Sequence, residues 1–242
     1  MAIVRINGKE INTVNGKKVR AIHYGDKTWY LEEPVENFTY SISNEEVTID
    51  KYNGENTSVV IPSYIESKPV TTIGANAFLY KTSIKSISLP STLQMIGSNA
   101  FKQCYLLQSI IIPKSVTSIE FGAFSECNNL TSVIYQEDSM LTSIGNGVFY
   151  PCPKLFSMVI PSNVVSLGDN ALKFNGNWNS LTDTYHYEFK AIVPPSLGST
   201  VFPTPTSTQQ ILEIKVPKDY IEDYKTWDTN WEALADYIVE GE

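Results

Sequence analysis

Residues Ile84 to Leu106 read IKSISLPSTLQMIGSNAFKQCYL, and residues Leu107 to Asn129 read LQSIIIPKSVTSIEFGAFSECNN. Set one above the other, they agree in chemical type almost position by position. The pair Ala-Phe anchors the match. Phe78, Phe101, Phe124 and Phe149 follow Ala77, Ala100, Ala123 and Val148, and Ala171-Leu172 closes the series at intervals of 23, 23, 25 and 23 residues. A period within about 20–29 residues marks a solenoid, whose units bury their apolar faces only against their neighbours.

The register extends on both sides. A third unit, Leu130 to Lys154, reads LTSVIYQEDSMLTSIGNGVFYPCPK, a fourth begins at Leu155, and an earlier one begins near Ser58. Five apolar columns follow. Ile84, Leu107, Leu130 and Leu155 form one; Ile87, Ile110, Val133 and Met158 the next; Leu89, Ile112, Tyr135 and Ile160 the third. Val70, Leu93, Val116, Leu141 and Val164 form the fourth, and Ile73, Ile96, Ile119, Ile144 and Leu167 the fifth. Each is expected to become a ladder of like side chains at the strand spacing of about 4.7–4.9 Å.

Pro62, Pro90, Pro113 and Pro161 follow the first apolar run. Proline lacks the amide hydrogen needed to continue a ladder, so each is expected to end a strand. Gly74, Gly97, Gly145 and Gly168 follow the fifth column, where a backbone angle or close approach would forbid a side chain; Glu120 breaks the series, with Gly122 two residues on. Ser86, Ser109, Ser132 and Ser157 form the uniform polar column, expected to satisfy backbone groups in a tight coil. Five extra residues between Pro62 and Val70, including Tyr64, and two between Gln136 and Leu141 are expected to be surface loops.

This pattern of strand, Pro, Val-x-x-Ile-Gly, Ala-Phe and Cys resembles the BspA-type leucine-rich repeat. The stretches IVPPSLGSTVF (192–202) and EIKVPKDYIEDYKTWDTNWEALADYIVE (213–240) resemble the ending of Bacteroidetes members, and residues 38–74 resemble an opening cap of that family. The resemblance covers residues 37–242. It implies a mainly β leucine-rich-repeat solenoid of about five 23-residue coils that serves as an adhesive or binding surface. The expected organisation is an N-terminal β-meander at 1–33, an opening cap at 34–57, repeats at 58–178, and a C-terminal cap with a terminal helix at 179–242.

Residues 1–33 do not follow the repeat. Short alternating runs are separated by Asn7-Gly8, Asn15-Gly16 and Gly25-Asp26. Asn-Gly between alternating runs signals hairpins, so three or four short strands are expected. Such strands are marginal alone and must pack on the solenoid or on another chain, with Trp29 and Tyr30 as anchors. The run INGKEINTVNGKKVRAIHYGDKTWY is similar to N-terminal segments of phage virion proteins. The likeness implies attachment to other virion proteins through residues 1–33. It fits the lack of an apolar run long enough for a secretory signal at the N-terminus. The expected location is therefore a virion, with a bacterial cell surface or secretion as the alternative.

The net charge is −8. It argues against a nucleic-acid partner, which needs clustered Lys and Arg. No run of 18 apolar residues is present, so no membrane span is expected. Cys104, Cys127 and Cys152 share one repeat position without a Cys-x-x-Cys pair; buried reduced thiols are expected rather than a metal site or disulfide. His23 and His186 have no adjoining nucleophile pattern in the sequence. The acidic pairs Glu137-Asp138 and Glu222-Asp223 read as solvated surface, and Gly145-Asn146-Gly147 lacks the context of a phosphate loop.

No catalytic, cofactor or metal residue is therefore expected, and the chain is read as a non-enzymatic binding or structural protein. Its partner is expected to be a protein or glycan on a cell surface, with homo-oligomerisation open. Trp178, Tyr185 and Tyr187 fall where the repeat breaks down. They are candidates, with Tyr64, for partner contact; the competing role is closing the solenoid end. Apolar residues spaced by three and four from Tyr220 to Ile238 indicate a helix plugging that end.

Overall fold

The structure is a computed structural model. It describes residues 35–174, 184–203 and 211–241 in full, together with the backbone of six short strands within residues 5–30. Those six strands pair locally and antiparallel: Arg5–Ile6 with Lys9–Glu10, Thr13–Val14 with Lys17–Lys18, and Ala21–Tyr24 with Lys27–Tyr30.

From Phe38 onward the chain winds as a β-solenoid. One parallel ladder holds the fifth apolar column. It runs through Glu46–Tyr52, Lys68–Ile73, Met95–Ile96, Ser118–Ile119, Ser143–Ile144, Ser166–Leu167 and Ser196–Leu197, and Phe38–Ser43 lies antiparallel on its outer edge. This makes about seven turns rather than five. The extra turns lie at the two ends, where the interval between equivalent strands departs from 23 residues and the period fades. A second set of parallel strands carries the second column. Ser86–Ser88 pairs with Ser58–Val60, Ser109–Ile112 with Ser132–Tyr135, and Ser157–Ile160 with Thr184–Phe189, followed by Ile211–Val216 and Ile238–Glu240.

The local chemistry explains the winding. Strands end at Ser88, Ile112 and Ile160, and the prolines that follow accept turn hydrogen bonds at Pro90 O, Pro113 O and Pro161 O from Leu93, Val116 and Val164 N–H. A Cβ on Gly97 would stand 2.8 Å from Ile73 O and 2.9 Å from Ala75 N, so consecutive coils touch through backbone here. Two residues further on lies a left-handed column, Asn76, Asn99, Gly122, Gly147, Asn170 and Thr200, all with φ between 51° and 61°. Gly122 thus serves this column and is not a displaced Gly97 equivalent. Asparagine and glycine dominate it because they tolerate that geometry at least cost.

Behind these turns the rings pile up. Tyr52, Phe78, Phe101, Phe124 and Phe149 stack with centroids 5.1, 5.0, 5.2 and 5.6 Å apart. Each thiol of Cys104, Cys127 and Cys152 donates to the carbonyl of Phe78, Phe101 and Phe124 respectively. All three cysteines are buried and free. Burial pushes the Cys104 and Cys152 thiols up to about 12 and holds Cys127 well above its usual range.

The C-terminal end is closed by an aromatic cluster. Phe174, Tyr187, Phe189, Phe202, Tyr224 and Trp231 pack ring against ring, and Tyr185 joins them through Phe174. Trp231 Nε1 donates to Pro195 O and Tyr224 Oη to Ala191 O. The expected single terminal helix is instead two short ones, Ile221–Thr226 and Thr229–Glu232. Asp228 separates them in an extended conformation and accepts from Asn230 and Trp231 N–H, an N-cap that starts a new helix. The chain then returns to strand at Ile238–Glu240, the outermost strand of its ladder.

Candidate functional site

A β-strand presents alternate residues to opposite faces. In Ser109–Ile112 the buried residues are Ile110 and Ile112, so Ser109 and Ile111 face solvent. The next strand pairs in register, with Ile111 opposite Ile134 and Ser109 opposite Ser132. The strand Ser157–Ile160 packs beside it and repeats the pattern with Ser157 and Val159 outward. The result is an exposed line of branched apolar side chains beside a line of hydroxyls. Ile111, Ile134 and Val159 are 52%, 50% and 46% exposed.

The surroundings change along the line. Toward the C-terminus, the outward positions become His186 and Glu188, then Glu213 and Lys215. His186 Nδ1 lies 2.5 Å from Glu213 Oε2, Lys215 Nζ lies 3.9 Å from that oxygen, and Lys190 pairs with Glu188. A neutral apolar centre thus runs into a patch of mixed charge. The serine column does not carry out the expected backbone role, because it stands on the solvent face: Ser86 donates to the Ser58 hydroxyl. Backbone carbonyls are met instead by hydroxyls elsewhere, among them Ser115 to Leu93 O, Thr117 to Gln94 O, Thr131 to Gln108 O and Thr142 to Thr117 O.

Ser157, His186 and Glu213 are neighbours on three successive strands, the residue types of a hydrolytic relay. The geometry does not complete one. No hydrogen bond joins Ser157 to His186, and the amides of His186 and Lys190 are spent on Phe156 O and Ile160 O rather than offered as an oxyanion hole. Among the described residues no group of three or more His, Cys, Asp or Glu is arranged to hold a metal. Among them too, no helix is long and apolar enough to cross a membrane. A cleft of about 310 Å³ lies between the last short-strand coil and the terminal helices, lined by Leu197, Phe202, Leu212, Asn230 and Tyr237 among others.

The residues proposed from sequence fall in different places. Tyr64 is 56% exposed, on the small hairpin that Tyr64–Ile65 forms with Lys68–Pro69. Tyr185 and Tyr187 are 0% and 1% exposed, and Tyr187 Oη donates to Leu172 O. Their rings close the solenoid end and leave no face for a partner, because both stand on the face of Thr184–Phe189 that pairing with Ser157–Ile160 turns toward the core. Trp178 and the side chains of Trp29 and Tyr30 lie outside the described residues. Tyr64 is therefore not brought together with the others. The Ile111 column was missed because SIII, SVIY and SMVI read as continuous apolar runs. The signal was available: with Ile110 and Ile112 assigned to the core, period two forces Ile111 outward.

A crystal structure of a leucine-rich-repeat protein from T. pallidum superposes with a TM-score of 0.60 at 25% identity, covering 72% of this chain and 83% of that one. A leucine-rich-repeat protein from Bacteroides ovatus gives a TM-score of 0.53 at 20% identity, over 70% of this chain and 40% of that one. A search of curated proteins gives no match. The BspA type leucine rich repeat region matches residues 38–182 in six copies. With the winding, the columns and this match in agreement, the chain belongs to the BspA-type leucine-rich-repeat family.

Proposed function

We propose that this chain is a non-enzymatic binding protein of the cell-surface or secreted type, and that it engages a protein partner through the outward face of its Ser109–Ile112, Ser132–Tyr135 and Ser157–Ile160 strands. The observation that carries the reading is the exposure of Ile111 and Ile134, opposite each other on paired strands, with exposed Val159 on the strand packed beside them. Aligned apolar surface on a stable scaffold favours a macromolecular partner. Branched aliphatic side chains favour protein over glycan, since sugars are gripped mainly by flat aromatic faces. Membership of the BspA-type family supports the surface or secreted setting. The virion alternative is supported only by the sequence likeness of residues 1–33.

The test is binding of fluorescently labelled protein to intact bacterial cells, compared with an Ile111→Asp/Ile134→Asp variant. Both positions are half exposed, so the variant is expected to keep its melting temperature and lose saturable binding. Protease treatment of the cells is expected to abolish binding while periodate leaves it intact. Unchanged binding by the variant, or sensitivity to periodate alone, overturns the reading.

A further inference from the structure

Successive coils exchange hydrogen bonds in both directions. Along the short-strand ladder the later coil donates. Val165 and Gly168 N–H go to Thr142 O and Ile144 O, and Ser196 and Gly198 N–H to Val165 O and Leu167 O. Along the turn that carries the Ala-Phe pair the earlier coil donates. Gly147 and Phe149 N–H go to Asp169 O and Ala171 O, and Asn170 and Leu172 N–H to Ser199 O and Val201 O. The last coil therefore ends with two kinds of group directed onward. Pro195 O and Leu197 O continue the first series, and the amides of Thr200 and Phe202 continue the second.

The terminal helices answer only the first series. Trp231 Nε1 donates to Pro195 O and Asn230 Nδ2 to Leu197 O, in place of the amides of a further coil. Among the described residues no backbone carbonyl takes the Thr200 or Phe202 N–H. Both residues line the cleft of about 310 Å³, together with Leu197, Leu212, Leu234 and Tyr237. The ring column stops at the same place. Tyr187, Phe189 and Trp231 meet Phe202 edge-on or tilted, so none of them stacks on it as Phe124 stacks on Phe101. Amides set two residues apart beside an apolar hollow are the elements of peptide recognition, in which main-chain hydrogen bonds supply affinity and a side-chain pocket supplies specificity.

We infer that this cleft is a peptide-binding site for a short segment of a partner protein. Alternate carbonyls of the segment accept from Thr200 and Phe202 N–H, and its aromatic side chain enters the hollow lined by Phe202 and Leu234. The segment that fits is a small residue followed by an aromatic one, because Ala100-Phe101, Ala123-Phe124 and Val148-Phe149 hold the corresponding place on earlier coils. None of the described residues lining the cleft is charged, which favours a neutral segment. The site stands at the end of the solenoid and uses none of the Ile111 row, so it is independent of the interface proposed above.

The test is a nitrogen-15 NMR titration of the full chain with a blocked tetrapeptide of its own residues 98–101, SNAF. Its carbonyls at Ser98 and Ala100 are the ones that accept from Asn76 and Phe78 N–H within the solenoid. The Thr200 and Phe202 amide signals are expected to shift and saturate, while those of Ile111 and Ile134 stay in place. The peptide SNAA, which has no ring to bury, is expected to bind at least roughly tenfold more weakly. Ala233→Trp, at an exposed position on the cleft, is expected to keep the melting temperature and block binding. The inference is overturned by the absence of a saturable shift at Thr200 and Phe202, by equal binding of SNAF and SNAA, or by binding that survives Ala233→Trp.

Discussion

Phe101 sits between Phe78 and Phe124, fully buried, with its ring stacked on both. Phe101→Ala leaves a ring-sized hole in a column with no side chain free to fill it, and is expected to cost about 3–5 kcal/mol in urea denaturation. Gly97→Ala is expected to destabilise by a different route, because its methyl meets the backbone of the preceding coil. Gly147→Asn is the control. Gly147 has φ +60° and open space around its Cα, and Asn already fills that column at Asn76, Asn99 and Asn170. It should therefore melt close to the unaltered chain. The thiols give a pH dependence. A free thiol ionises near 9.0, whereas folded Cys104 and Cys152 hold their protons to about 12. The folded state thus binds more protons than the unfolded one between those values. The contribution is complete below pH 9 and is lost as pH rises toward 12, by up to about 1.4 kcal/mol per pH unit for each thiol. Partly buried Tyr135 and buried Tyr224 act with the same sign at higher pH. Denaturation at pH 8 and pH 10 should show a smaller loss in Cys104→Ala/Cys152→Ala than in the unaltered chain.

At the scale of the element, each coil gives its side chains one of two tasks. Inward columns fix the register, and the outward columns of the longer strands form the proposed binding face. An outward substitution such as Ile134→Asp should leave the melt unchanged, whereas Val133→Asp, one residue away, puts a charge in the core and should prevent folding; circular dichroism separates the two. The inward columns were legible in the sequence because burial demands the same residue type in every coil. The outward apolar row of Ile111, Ile134 and Val159 was not, since solvent accepts almost any side chain; the serine column was legible as a column, but not that it faces solvent. Tyr185 and Tyr187 show the same limit. In the strand TYHYEF, alternation alone cannot say which face is inside. Only pairing with Ser157–Ile160, whose Met158 and Ile160 are buried, turns the aromatics inward.

Across the whole molecule, stability passes from coil to neighbouring coil, so the ends matter out of proportion to their size. Trp231→Ala removes the ring that meets Phe189, Phe202 and Tyr224 and the hydrogen bond to Pro195 O. It is expected to fray the last coils first, seen as faster amide exchange in Ile211–Val216 before any change in Ser109–Ile112. The number of turns was underestimated from sequence for the same reason that the ends need caps. Terminal coils contact a cap on one side, and their residues answer to that cap rather than to the repeat. The central claim is that successive coils stack in register, ring upon ring. Nuclear Overhauser contacts among the Phe rings test it most directly. The account predicts ring-to-ring contacts between Phe78 and Phe101 and between Phe101 and Phe124, with none between Phe78 and Phe124, two coils apart. Absence of the neighbouring contacts, or a direct contact between Phe78 and Phe124, would contradict it.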